Sequence, residues 1–174
     1  MPSFKLRSSR TVELAPAPME DFYRLRARIM LLDGSSNAFL FASPESVAPQ
    51  ADPTGAILGA NTVQVHAVGV DNKTLRLKGL PAGYILTEGD FLGVTYNTSR
   101  RGLYVACQTV TADGSGVTPA FEVRSYLRPG TAVNDVVSLV PPVAKVKILP
   151  DTLGWSGSGK LVTVHFTVRQ TLGA

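Results

Sequence analysis

Gly154-Trp155-Ser156-Gly157-Ser158-Gly159-Lys160 has the spacing G-x-x-x-x-G-K of a loop whose backbone N–H groups cradle phosphates. That chemistry also needs a Ser or Thr after the lysine to hold magnesium, and a helix start whose amides face the anion. Leu161 occupies the hydroxyl position, and alternating Val162, Val164, Phe166 and Val168 follow. The segment therefore reads as a glycine-rich turn between strands. His66 and His165 stand about a hundred residues apart, without the nearby Cys, His or carboxylate partners of a zinc site. Glu88 and Asp90 straddle Gly89 at a strand entrance. Paired carboxylates act as acid and base only when their environments differ, and the reading here is a turn with solvated carboxylates. Cys107, the single cysteine, excludes an intrachain disulfide and reads as a small buried hydrophobe. No G-x-S-x-G elbow occurs in a strand-to-helix setting. Asn72-Lys73-Thr74 and Asn97-Thr98-Ser99 fit the glycosylation tripeptide, which acts only on secreted chains. The expectation is a non-enzyme with no catalytic, cofactor-binding or metal-ligating residues.

The elements that position these residues are short. Residues 11–14 suggest a strand, and Ala15-Pro16-Ala17-Pro18 breaks the chain. A helix over residues 19–32 follows, with Phe22, Leu25, Ile29 and Leu32 on one face. Pro18 suits its first turn, Glu20 and Asp21 suit the positive end of its dipole, and Asp33-Gly34 ends it. Arg24, Arg26 and Arg28 spread around it as a solvated or inter-subunit face. Ala38–Phe41 is a strand candidate, and residues 43–61 form an irregular, Pro- and Gly-rich arm suited to contacting another subunit. From residue 61 to 171 the period is mostly two. Val63, Val65 and Ala67 share a face, as do Leu75 and Leu77, and Leu103, Val105 and Cys107. Asp113-Gly114-Ser115-Gly116 marks a tight turn, and Pro141-Pro142 divides two further strands. The final strand buries Val162, Val164, Phe166 and Val168 and turns His165 outward. The expected fold is β-rich (α+β): a barrel- or sandwich-like single domain, 1–174, of about nine short strands and one packed helix.

A hydrophobic fraction of 44% supplies a core for 174 residues. The net charge of +4 is modest, so sequence-specific nucleic-acid binding is not expected. Met1-Pro2-Ser3-Phe4-Lys5-Leu6 lacks the apolar stretch of a secretory signal, and the expectation is synthesis in the cytoplasm. No window approaches the roughly 18–20 apolar residues of a membrane span.

Two blocks of the chain resemble distal tail proteins of long-tailed bacteriophages. The first runs from Met19-Glu20-Asp21-Phe22-Tyr23-Arg24-Leu25 through Ser35-Ser36-Asn37-Ala38-Phe39-Leu40-Phe41. It is similar to that family's helix, small-polar turn and aromatic-rich strand. The second runs from Gly89-Asp90-Phe91-Leu92 through Arg128-Pro129-Gly130 to Pro142-Val143-Ala144-Lys145-Val146. The resemblance implies a structural virion protein of the tail tip, assembled as a homo-oligomeric, hexameric ring around the central channel. Its implied partners are the tail tube protein, the hub or baseplate proteins and the tape-measure protein. From the residues alone, the competing reading is a carbohydrate-binding β-sandwich. That reading requires clustered exposed aromatics, and Trp155 is the sole tryptophan.

Overall fold

The computed structural model describes residues 9–42, 46–158 and 161–171. Its contacts group the chain into two compact units, one drawn from residues up to Leu40 together with Lys145–Thr171, the other from Phe41–Ala144.

The first unit begins with β1 (Ser9–Glu13), β2 (Ala17–Pro18) and α1 (Met19–Met30). In β3 (Phe39–Ala42) the chain passes into the second unit. The second unit contains β4 (Gln64–Val68), β5 (Thr74–Lys78), β6 (Ile85–Leu86), β7 (Phe91–Tyr96), β8 (Arg100–Ala106), β9 (Val110–Thr111), β10 (Phe121–Arg124) and β11 (Val137–Ser138). The chain returns through β12 (Val143–Ile148), β13 (Gly154–Ser158) and β14 (Leu161–Gln170).

Fourteen strands and one helix are thus present among the described residues, not the nine strands expected. The count differs in part because β2 and β6 have two residues each, too few to show an alternation. Gly154–Ser158, read as a turn, is also a strand, pairing antiparallel with Leu161–His165. Residues 159 and 160, which include Lys160 of the glycine-rich motif, lie outside the described residues.

β14 organises the first unit. Along one side it pairs with β1, from Ser9↔Arg169 to Glu13↔His165, and with β2. Along the other it pairs with β13 and β12, the latter through Val146↔Gln170 to Ile148↔Val168. Val162, Val164, Phe166 and Val168 are buried and His165 is exposed, the facing that a period of two dictates. Val12 and Phe166 are cross-strand partners and both are buried. Helix α1 packs against β14 through the predicted stripe, with Phe22 and Ile29 buried and Leu25 and Leu32 half-buried. It stops at Met30, with Leu31 as C-cap, because the Leu32 N–H turns back to the Ile29 carbonyl and Asp33 enters a positive φ of 51°.

The second unit is a six-stranded sheet in the order β11-β7-β8-β10-β5-β4. The sheet curls until its end strands meet. The N–H groups of Asn134 and Val137 donate to the carbonyls of Val65 and Val63, and the Val65 N–H donates to the Asp135 carbonyl. Closure leaves no open edge along this seam. Inside lie Val65, Leu75, Leu77, Leu92, Val94, Tyr104, Ala106, Phe121 and Val123. In β8 the predicted phase is reversed. Gly102, Tyr104 and Ala106 face the core, while Leu103, Val105 and Cys107 are only half-buried on the outer face. Both faces of this strand carry apolar side chains, so alternation cannot choose between them. A bulge between Val65 and Ala67 interrupts β4 at His66.

The described part of the irregular segment, residues 46–61, contains no helix or strand. It is nevertheless folded onto its own unit, with Leu58 in the core and Asp52 buried.

Candidate functional site

The residues singled out for chemistry are scattered through the fold. His165 is exposed and lies over Gly154, where a Cβ would stand 2.4 Å from the imidazole Nε2. His66 is half-buried at the β4 bulge in the other unit. Among the described residues, no three His, Cys, Asp or Glu side chains gather as metal ligands. No helix among them is long and apolar enough to cross a membrane.

Cys107 is half-buried on the outer face of the barrel unit. Desolvation raises its thiol pKa, against the opposing charge of Arg124, so the reactive thiolate is disfavoured. Arg124 is itself tied to Glu122 at 2.6 Å. The exposed Tyr126 ring lies between Lys73 and Arg124, whose charged ends are 5.6 and 5.4 Å from its centroid.

The two carboxylates expected to be solvated are not alike. Glu88 is exposed, but Asp90 is only 2% exposed. Its Oδ1 accepts the Gln50 N–H at 2.9 Å and its Oδ2 accepts the Thr87 N–H at 2.7 Å. Sequence reasoning could not find this, because one donor comes from forty residues upstream. A second buried carboxylate, Asp52, is 1% exposed. It accepts the N–H groups of Ile57 at 3.2 Å and Leu58 at 2.9 Å, and Tyr84 directs its hydroxyl at it from 3.4 Å. Burial works against the Asp52 charge, but these donors more than offset it and hold the carboxyl below the usual range. Burial and the nearby negative charges of Asp52 and Asp90 push the Tyr84 hydroxyl far up, so it remains a donor.

The first unit offers a surface instead of a pocket. Tyr23 and Trp155 are 59% and 51% exposed, flanking the buried Phe22 with ring centroids 5.8 and 6.0 Å from it. The Arg26 guanidinium lies 5.2 Å from the Trp155 centroid. Leu153, Ile29 and Val164 complete a shallow apolar depression beside it. Of the three arginines, Arg24 is paired with Glu20 at 2.8 Å and Asp21 at 3.8 Å. Among the described residues, β1, β2 and β13 each pair with β14 alone. The opposite face of β14 is polar, with Thr163, His165, Thr167 and Arg169 outward and Thr11 within 3.3 Å of Thr167.

Exposed aromatic side chains beside unpaired strand edges suit association with another protein surface, because they bury apolar area and satisfy backbone groups together. No protein-family model matches the chain, and no curated protein matches it.

Proposed function

We propose that the protein is a structural component of a long-tailed bacteriophage tail tip, similar to distal tail proteins. In this reading it forms a homo-oligomeric ring, six-fold, that joins the tail tube to the baseplate or hub around the central channel. It works in the virion, in contact with tube, hub and tape-measure proteins, and performs no catalysis. The observation that carries the reading is the contrast between the two units. The barrel unit closes its sheet on itself, whereas among the described residues of the first unit β1 and β13 each have an unpaired edge, and Tyr23 and Trp155 are exposed. Natural sheets blunt or cover such edges, and head-to-tail contacts between copies cover them while closing a ring.

The test is native mass spectrometry and negative-stain imaging of the purified protein, with cryo-electron microscopy of virions. The expected result is a closed ring of identical copies at the tail tip. A subunit that stays strictly monomeric within the assembled particle overturns the proposal.

The carbohydrate-binding alternative has one supporting observation, the exposed Tyr23 and Trp155 pair. Arg26 already lies over the Trp155 ring, which leaves less of it for stacking on a sugar. A monomer that binds glycans in an array, and loses them with Trp155→Ala, favours that second reading.

A further inference from the structure

Residues 46–61 have no regular structure, yet three side-chain hydrogen bonds fasten them to the barrel unit. The Gln50 N–H donates to Asp90 Oδ1 at 2.9 Å, and the Gln50 Nε2 donates to the Glu88 carbonyl at 3.0 Å. Tyr84 donates to Asp52 Oδ2. Within the segment, Asp52 spans to Ile57 and Leu58, and Asn61 Nδ2 holds the Leu58 carbonyl at 2.7 Å. These bonds seat Leu58 among the core side chains.

Both carboxylates use both of their oxygens as acceptors. Asp52 takes Ile57 on Oδ1 and Leu58 with Tyr84 on Oδ2, while Asp90 takes Gln50 on Oδ1 and Thr87 on Oδ2. Neither is in an ion pair with Lys, Arg or His among the described residues. The negative charge is held entirely by N–H and O–H donors. A neutral carboxyl carries a proton on one oxygen and must turn that O–H toward an existing donor or break away from it. An arrangement of donors on both oxygens therefore selects the charged form.

We propose that residues 46–61 are a latch held closed by the donors gathered on Asp52 and Asp90, and that the latch opens as one unit when Asp52 is neutralised or either clasp is broken. Opening withdraws Leu58 from the core without unfolding the β7–β8 hairpin. The titratable groups facing the clasp among the described residues are Tyr84 from the chain before β6 and Glu88 from the turn before β7. Tyr84 stays protonated throughout, and Glu88 is exposed and engaged only through its backbone carbonyl. Asp52, held below the usual carboxylate range of about 3.9 by its N–H and O–H donors, contributes its full stability above that pH and loses it as the pH falls through the folded value. The latch is thus closed near neutrality and opens in acid.

Hydrogen exchange of the full chain tests this, with rates corrected for the intrinsic pH dependence. Asp52→Asn and Asp90→Asn each place an amide NH2 against a backbone N–H. Either substitution is expected to speed exchange at Gln50, Ile57 and Leu58 by about tenfold or more near neutral pH, with β7 and β8 amides unchanged. In the unsubstituted protein the same amides lose protection first as the pH falls below about 4, which requires no variant to fold. Two results overturn the proposal: these amides exchanging at random-coil rates near neutrality, or exchanging only in step with β7 and β8 in acid and in both variants.

Discussion

Thr118 offers the cleanest perturbation of the barrel unit. It is buried just ahead of β10, where its N–H donates to the Leu77 carbonyl at 3.0 Å. Its hydroxyl accepts the Leu77 N–H, also at 3.0 Å. A side chain therefore continues the β5–β10 ladder beyond the Phe121↔Leu75 pair. Thr118→Val keeps the shape and removes only the acceptor. The Leu77 N–H is then left in the core against a methyl group, at a cost of about 1–3 kcal/mol. The new methyl returns less than about 0.8 kcal/mol, the transfer value of one buried carbon. The net expectation is a destabilisation of about 1–2 kcal/mol. With a urea slope of about 2 kcal/mol/M, the midpoint falls by roughly 0.5–1 M. Thr111→Val is the control, because Thr111 is exposed on β9 and its change should stay within about 0.5 kcal/mol. Near-UV circular dichroism of the buried Tyr84, Tyr96 and Tyr104 reports the transition in this unit. A Thr118→Val midpoint equal to that of the control, with unchanged slope, refutes the assignment of Thr118 as the ladder's last acceptor.

Two further perturbations test the strand faces and the turns. Phe166→Ala should destabilise by about 3–5 kcal/mol, the transfer-plus-cavity cost of a buried phenylalanine, while His165→Ala should change stability by less than about 0.5 kcal/mol. Chemical denaturation followed by Trp155 fluorescence decides this, and a larger loss for His165 means that the faces of β14 are reversed. Gly116→Ala should be costly, because Gly116 has a φ of 75° and an added Cβ would stand 2.1 Å from the Leu80 carbonyl oxygen. The left-handed conformation alone costs about 1–2 kcal/mol. Gly114, two residues earlier, has nothing within 4 Å of such a Cβ, so Gly114→Ala should be near neutral in the same thermal melts.

What could be read in the chain depended on whether the controlling interactions were local. The faces of β14 and α1 were legible because one buried face repeats over ten and twelve residues, and each period is unambiguous at that length. The face of β8 was not. Tyr104 is buried, and its hydroxyl accepts the Arg128 N–H at 3.3 Å. Burial raises its pKa and keeps it protonated, so it fills the core without bringing a charge. The closing of the barrel was equally hidden, because its seam joins Val63 and Val65 to residues 134–137, some seventy positions away. The same distance problem concealed the buried carboxylates. Asp90 looks like any acidic turn residue until Gln50 is placed beside it, and the Pro- and Gly-rich segment that carries Gln50 gives no periodic signal.

That segment also changes how assembly is to be understood. An irregular stretch of this length was expected to act as an arm, gaining order only from a neighbour. Within the subunit, Leu58 burial and the two carboxylate clasps already hold its described residues on the barrel unit. In the proposed ring, contacts fall more naturally to the first unit. There, among the described residues, β1 and β13 have unpaired edges, and Trp155 is exposed next to Arg26. Val47 and Ile57 are the large apolar side chains that the segment exposes, so a neighbour would meet a preformed surface there.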